Sequence, residues 1–423
     1  MQRIISISKI IILAVSCGLT NIHSAAQQTA SFMENLKTVQ VKADGKWGEP
    51  PVIVMGSGHF VEISFDDLQH NYVRYTYKVT HCDAEWQPSD IYEGDYMTGI
   101  NGTYRIEQYA QSMTTEMEYN HYSITFPNKD VKLLISGNYK VEFYQDGDDE
   151  PVAQACFSIV EPKIGIDIDV SANTDIDTYQ SHQQVSFTIN YKDYAVDNPE
   201  SEFKPVVVQN RRWDTHASNL KPTYIKATQL IYNYNKSLIF DAGNEYRRFE
   251  ILDRLVPTMH IDKMYYDKGY YHAVIYPDKP RINYLYDEDQ DGRYYIINND
   301  DEENDTESDY FFVHFTLVSP KLPGGEVYLN GDLTDNSYDS YYQMEYNNLS
   351  HQYELVLPLK QGSYNYQYVL VNDDGERQVG MTDMTEGNFY QTENEYYVYV
   401  YHRPFGGRYD KLVGFNKYNY KGN

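Results

Sequence analysis

Residues 62–91 read EISFDDLQHNYVRYTYKVTHCDAEWQPSDI, and the alternation inside this stretch decides the fold class. Val61, Ile63 and Phe65 alternate with polar residues, and Asp66-Asp67-Leu68-Gln69-His70-Asn71 is rich in turn formers. Val73, Tyr75, Tyr77, Val79 and His81 then share one face, with Arg74, Thr76, Lys78, Thr80 and Cys82 on the other. Successive side chains of a strand point to opposite sides of its sheet, so a period of two marks a half-buried strand. The run closes on Asp83-Ala84-Glu85-Trp86, where the indole is suited to cover the edge of a core. The spacing predicts the central hairpin of an immunoglobulin-like sandwich.

The same pattern continues outward. Lys37–Val41, Val52–Met55, Thr103–Ile106, Tyr119–Phe126, Ser136–Tyr144 and Val152–Val160 read as strands, with a hairpin loop at Gln145–Asp149. That is the short-strand, frequent-turn signature of a sandwich. Lys163–Val170, Val185–Tyr191, Val206–Asn210, Arg247–Ile251 and Tyr271–Tyr276 repeat it, as do Tyr310–Leu317, Glu326–Leu333, Tyr353–Leu359, Gln361–Val371 and Tyr396–Tyr401. No segment keeps helical spacing beyond a couple of turns. The expectation is an all-β chain of tandem immunoglobulin-like β-sandwich domains at 27–162, 163–305 and 306–423. The last has the look of a glycogen-binding or E-set-type sandwich. The acid run Asn298–Asp309 is expected to be a solvated loop near a boundary, because its charges repel.

Met1–Ala26 carries Arg3 and Lys9, a short apolar run and a small-residue end, Ser24-Ala25-Ala26. It reads as a secretory signal peptide cleaved near Ala26. Ala14-Val15-Ser16-Cys17 is an imperfect lipid-attachment box, so lipidation at Cys17 stays open. The remaining chain, at about 100–200 residues per domain, accommodates two to four domains and has no apolar run long enough for a transmembrane helix. The net charge of −27 argues against nucleic-acid binding. Forty-five tyrosines suit pleated, half-wet surfaces. Cys82 and Cys156 could pair in an exported compartment or remain separate buried thiols. The C-terminal segment from Arg403 carries Arg403, Arg408, Lys411, Lys417 and Lys421 against one acid, Asp410. As a basic patch on an acidic protein it supplies candidate partner-binding residues Arg403, Arg408 and Lys411.

Asp287, Asp289 and Asp291 followed by Gly292 match the first half of a calcium loop, with carboxylates at positions one, three and five. Position twelve is Asn298 in place of a bidentate Glu, so an Asp-rich hairpin turn is the competing reading. There is no nucleophile elbow, zinc-protease helix motif or phosphate loop. Two acids would suffice for a glycosidase, and 62 are present. Gly331-Asp332-Leu333, Asn372–Gly375 and the tyrosines Tyr338, Tyr341 and Tyr342 suggest a carbohydrate-binding envelope protein as an alternative.

Several segments together carry a resemblance. They are SFDDL at 64–68, Tyr-x-Tyr-x-Val-x-His-Cys-Asp-x-x-Trp at 75–86, and Ser-Gly-Asn-Tyr-x-Val-x-Phe-Tyr at 136–144. Asp289–Gly292, Val327–Leu333 and RPFGGRYDKLVG at 403–414 complete the set. In this order they resemble the type IX secretion system plug protein family of the Bacteroidetes. The resemblance implies a periplasmic, all-β, non-enzymatic protein with no resident cofactor. Its partner would be a very large outer-membrane β-barrel translocon, whose periplasmic opening it would occlude.

Overall fold

The computed structural model describes residues 28–69, 71–99, 104–299, 303–372 and 378–422. The signal segment with Cys17, His70, Thr103 and the hairpin tip 373–375 lie outside the described residues. The regular structure is nearly all β and mostly antiparallel, and it forms three sandwiches.

The first sandwich closes over residues 30–160. One sheet orders Ala30–Ser31, Ala153–Val160, Gly137–Gln145, Tyr75–Cys82 and Tyr104–Arg105, with Val52–Val54 parallel to Ala153–Val160. The other orders Leu36–Ala43, Val61–Asp67, Asn120–Phe126 and Gln108–Gln111. Val61–Asp67 and Tyr75–Cys82 therefore lie in opposite sheets, and the predicted hairpin between them does not form. The chain changes sheets between Asp67 and Tyr75. Both strands still point their apolar faces inward. Phe65 meets Tyr75 edge-on at 5.2 Å, and the Tyr75 hydroxyl donates to Asp67 at 2.8 Å. The hairpin joining Gly137–Gln145 to Ala153–Val160 does form.

The second sandwich is discontinuous. Gly165–Ser171, His182–Asn190, Gln229–Tyr232, Tyr224–Lys226 and Ile239–Asp241 form one sheet. The facing sheet orders Arg212–Ala217, Phe203–Gln209, Asn394–His402 and Lys411–Tyr420. Its core draws Val185, Phe187, Ile189 and Leu230 from the middle of the chain and Tyr396, Val398, Val400 and Val413 from the end. The boundary placed at 305/306 is thus wrong on both sides. Tyr396–Tyr401 and the basic "tail" belong to the second sandwich. Lys411–Tyr420 is a strand, read as a tail because its lysines mask the buried Leu412, Val413 and Tyr420.

The third sandwich is inserted into the second. It packs Arg247–Ile251, Gly362–Val371, Tyr294–Ile296, Glu326–Asn330 and Gly380–Met381 against a second sheet. That sheet orders Ile261–Asp267, Tyr270–Ile275, Tyr310–Val318, Gln352–Lys360 and Glu345–Asn347. The insertion points are adjacent: Phe389 N–H donates to Gly243 O at 2.8 Å, and Gly243 N–H to Asn388 Oδ1 at 3.0 Å.

Tyrosine serves as the core residue here, more than as a half-wet surface residue. Tyr364, Tyr366 and Tyr368 are buried in the third sandwich. The hydroxyls of Tyr366 and Tyr368 donate to Asp278 at 2.8 and 2.9 Å, and Arg247 meets the same carboxylate at 2.7 Å. A buried tyrosine needs a partner for its O–H, and the chain provides buried acids for that purpose.

Candidate functional site

The residues singled out from sequence are mostly consumed by the fold. Asp287 pairs with Arg248 at 2.9 Å, while Asp289 accepts the backbone N–H groups of Tyr246 and Asp291. Among the described residues, the acids whose oxygens gather within 4.8 Å of one another are Asp83, Glu85 and Asp410. Burial raises the carboxyls of Asp289, to about 7, and of Asp291. The Asp-rich hairpin turn is the better description. Tyr338 is buried, with its hydroxyl on Asp214 at 2.7 Å, and Tyr341 lies under the Lys37 ammonium at 4.3 Å. These rings offer no sugar platform.

Cys82 and Cys156 are free, buried thiols. They sit on the two strands that flank Gly137–Gln145, opposite Asn138 and Lys140. Two strand spacings separate their backbones, about 9–10 Å, beyond the ~7 Å limit for a disulfide. Burial pushes both thiols up to about 12, which keeps them unreactive.

The basic segment is also spoken for. Asp410 is buried and accepts Arg403 at 2.6 Å, Lys204 at 3.2 Å and the Ala84 backbone N–H at 3.0 Å. Asp410 thereby ties the second sandwich to Ala84 of the first, and Arg403 reaches the first sandwich at Asp83, 3.8 Å away. Arg408 stays exposed, 3.4 Å from Asp95, and Lys411 leans over the Tyr409 ring.

The seams between sandwiches are the most elaborate feature of the molecule. Asn394–His402 is buried along all nine residues. Tyr396, Val398 and Val400 fill the second core, while Tyr397, Tyr399 and Tyr401 face the first sandwich. There they join Cys82, Trp86, Cys156, Val206, Val208 and Trp213. Trp86 meets Trp213 edge-on at 5.8 Å, so the indole seals a domain seam in place of a sandwich edge. Gly137 sits at φ +137°, where a Cβ would lie 2.3 Å from His81 Nε2 and 2.9 Å from Asp410 O, so the close approach requires glycine.

First and third sandwiches meet at Asp66. Lys360 Nζ lies 2.6 Å from it, His121 Nδ1 2.6 Å, and the Tyr310 hydroxyl 2.7 Å. Burial alone would raise this carboxyl, but Lys360 and His121 outweigh it and hold it below its ordinary value. The ends of the acid run dock on the same seam, while Asn299 and Glu303 face solvent. Ser308 and Asp309 are buried, and Asp309 accepts the backbone N–H groups of Glu116 and Met117. Its residues 300–302 lie outside the described residues. Arg211 touches all three units, donating to Gly48 O at 3.0 Å and to Asp332 at 3.4 Å from its own place in the second.

Between the second and third sandwiches lies a polar cleft of about 490 Å³. Arg212 within it donates to Asp214 at 2.6 Å and Gly380 O at 2.6 Å. Arg293 pairs with Glu395 across the same seam. These pairs hold the two units together. Asp66, Lys360, Arg211 and Arg293 were missed from sequence because an ion pair between distant residues leaves no local pattern. NEYYVYVYH did carry a usable signal, since an apolar run without alternation marks burial on both faces.

A family model for the type 9 secretion system plug protein first domain matches residues 36–161, the span of the first sandwich. A crystal structure of a hypothetical protein from Parabacteroides merdae ATCC 43184 is 44% identical, with a TM-score of 0.91 over 94% of this chain and 100% of its own. The chain belongs to the type 9 secretion system plug protein family. The same architecture thus runs the length of a relative as well as the matched plug domain. Two C-terminal domains of streptococcal antigen I/II proteins, BspA of Streptococcus agalactiae and AspA of Streptococcus pyogenes, are 7% and 9% identical. They match over 90% of this chain and 97% and 98% of their own, with TM-scores of 0.14 and 0.16, too low to bear on its fold. No curated protein matches. Plug-family membership gives the chain a role in type 9 secretion and a place in the cell envelope. It also favours a non-catalytic, structural protein. Among the described residues no helix is long and apolar enough to cross a membrane.

Proposed function

We propose that the protein occludes the periplasmic opening of the outer-membrane β-barrel translocon of the type 9 secretion system. The observation that carries this reading is the match of the first sandwich to the plug domain model. Two features support it. The three sandwiches are joined by buried charge pairs and a shared apolar seam, which suits a body that must block a wide pore without deforming. The polar clusters lock elements together and leave few groups poised for chemistry. Opening would be competitive: cargo or a shuttle that prefers the unplugged barrel shifts the equilibrium by its difference in affinity for the two states.

The test is affinity capture of the tagged full chain from detergent-solubilised envelope, paired with permeability of a deletion strain to large solutes. A very large barrel protein should co-purify, and the deletion strain should leak. Absence of both results overturns the proposal.

A further inference from the structure

The outer face of the third sandwich carries a cross-strand ladder that the plug reading does not use. Tyr265 stands opposite His272 on neighbouring strands, and His272 opposite Phe312 on the next. The Tyr265 and His272 rings are parallel at 4.7 Å, and Phe312 covers the other face of His272 at 5.3 Å and 27°. With both faces covered, His272 shows solvent only its edge. Such a ladder is a poor platform for stacking a sugar, but it fixes where the ring nitrogens point. His314 lies diagonally beside it. His272 Nδ1 and His314 Nε2 are 3.0 Å apart, and the Tyr265 hydroxyl is 3.4 Å from the same His314 nitrogen.

We propose that His272 and His314, with the Tyr265 hydroxyl beside them, form a surface site for a late first-row divalent metal ion, copper(II) before nickel or zinc. Imidazole nitrogens suit these ions, and copper heads the affinity order. Two nitrogens bound cis at ~2.0–2.1 Å stand about 2.9 Å apart in square geometry and about 3.4 Å apart in a tetrahedron. The observed 3.0 Å fits the square arrangement favoured by copper and nickel. The nitrogens now share one proton. Metal binding moves that proton to the far nitrogen of one ring, so both near lone pairs become free without net proton loss.

Isothermal titration of the untagged full chain with Cu²⁺, Ni²⁺ and Zn²⁺ tests the site. One equivalent should bind in the micromolar range, with Cu²⁺ tightest. His272→Gln and His314→Gln should each weaken it by about tenfold or more, the double variant should abolish it, and His182→Gln should leave it intact. Paramagnetic resonance of the Cu²⁺ form should show two nitrogen ligands, lost in the double variant. Circular dichroism confirms that each variant folds, as expected for substitutions on a solvent-facing sheet surface. Unchanged stoichiometry and affinity in the double variant overturns the proposal, as does failure of the wild type to bind one equivalent. The readout is metal binding by purified protein, so it stands or falls apart from translocon occlusion.

Discussion

At the scale of single residues, the seams make unusual demands on charge. Glu245 is buried and its carboxyl is raised to about 7, chiefly by burial, while the Tyr284 hydroxyl at 2.6 Å pulls the other way. A carboxyl raised on folding stabilises fully below its unfolded value, and that contribution is lost as pH rises through about 7. Glu245→Gln keeps an acceptor for Tyr284 and removes the titration. The variant should be more stable than wild type at pH 8, on the order of 1–2 kcal/mol, and near parity at pH 5. His81 runs in the opposite sense: burial lowers it to about 4, so its contribution is present above pH 6.5 and fades as pH falls. Denaturant titrations of variant and wild type at both pH values isolate the Glu245 term, and a difference independent of pH would refute it. Asp66→Asn leaves the buried Lys360 without its counter-charge and should cost about 3–5 kcal/mol. Adding Lys360→Met should restore much of that loss, because a well-packed apolar pair is often no worse than a buried ion pair. Denaturation of both single variants and the double completes the cycle.

At the scale of elements, pairing partners matter more than strand identity. Period-two alternation located several strands to within a residue or two, including Leu36–Ala43, Tyr310–Val318 and Gly362–Val371, and placed His182–Asn190 with its start three residues late. It missed Arg212–Ala217, Ile261–Asp267 and Lys411–Tyr420, where charged residues or two-sided burial obscure the period. It also could not assign sheets, since a strand's pattern reports which face is buried and says nothing about its neighbour. The hydrogen bonds between Gly243 and Phe389 give a direct test of the insertion. Replacing residues 245–387 with a short glycine linker should leave a folded second sandwich beside the first, with a cooperative thermal transition. Expressing the halves 27–305 and 306–423 separately should give unfolded or insoluble chains, because each cut strands part of a core. Soluble, cooperatively folding halves would contradict this topology.

At the scale of the whole molecule, the shared seam sets rigidity. Trp86 and Trp213 sit in one cluster with Tyr397, Tyr399 and Tyr401. Trp86→Ala with Trp213→Ala removes the largest side chains there, a loss of several kcal/mol. The sandwiches should remain folded by circular dichroism while small-angle scattering shows a larger radius of gyration. An unchanged scattering profile would mean that the polar contacts around Asp410 and Asp66 alone hold the units in place.

The sequence by itself determined the all-β class, most of the strands, the absence of a recognisable catalytic motif and the family, because side-chain period and ordered motifs are local properties of the chain. Tertiary structure decided the rest. It put Val61–Asp67 and Tyr75–Cys82 in opposite sheets, returned Asn394–Tyr420 to the second sandwich, kept Cys82 and Cys156 apart, and spent Arg403 on buried Asp410. It also brought His272 and His314 within 3.0 Å of each other. Each of these rests on contacts between residues far apart in the chain. Such contacts depend on which sheet and which face a strand joins, and alternation alone does not encode that choice.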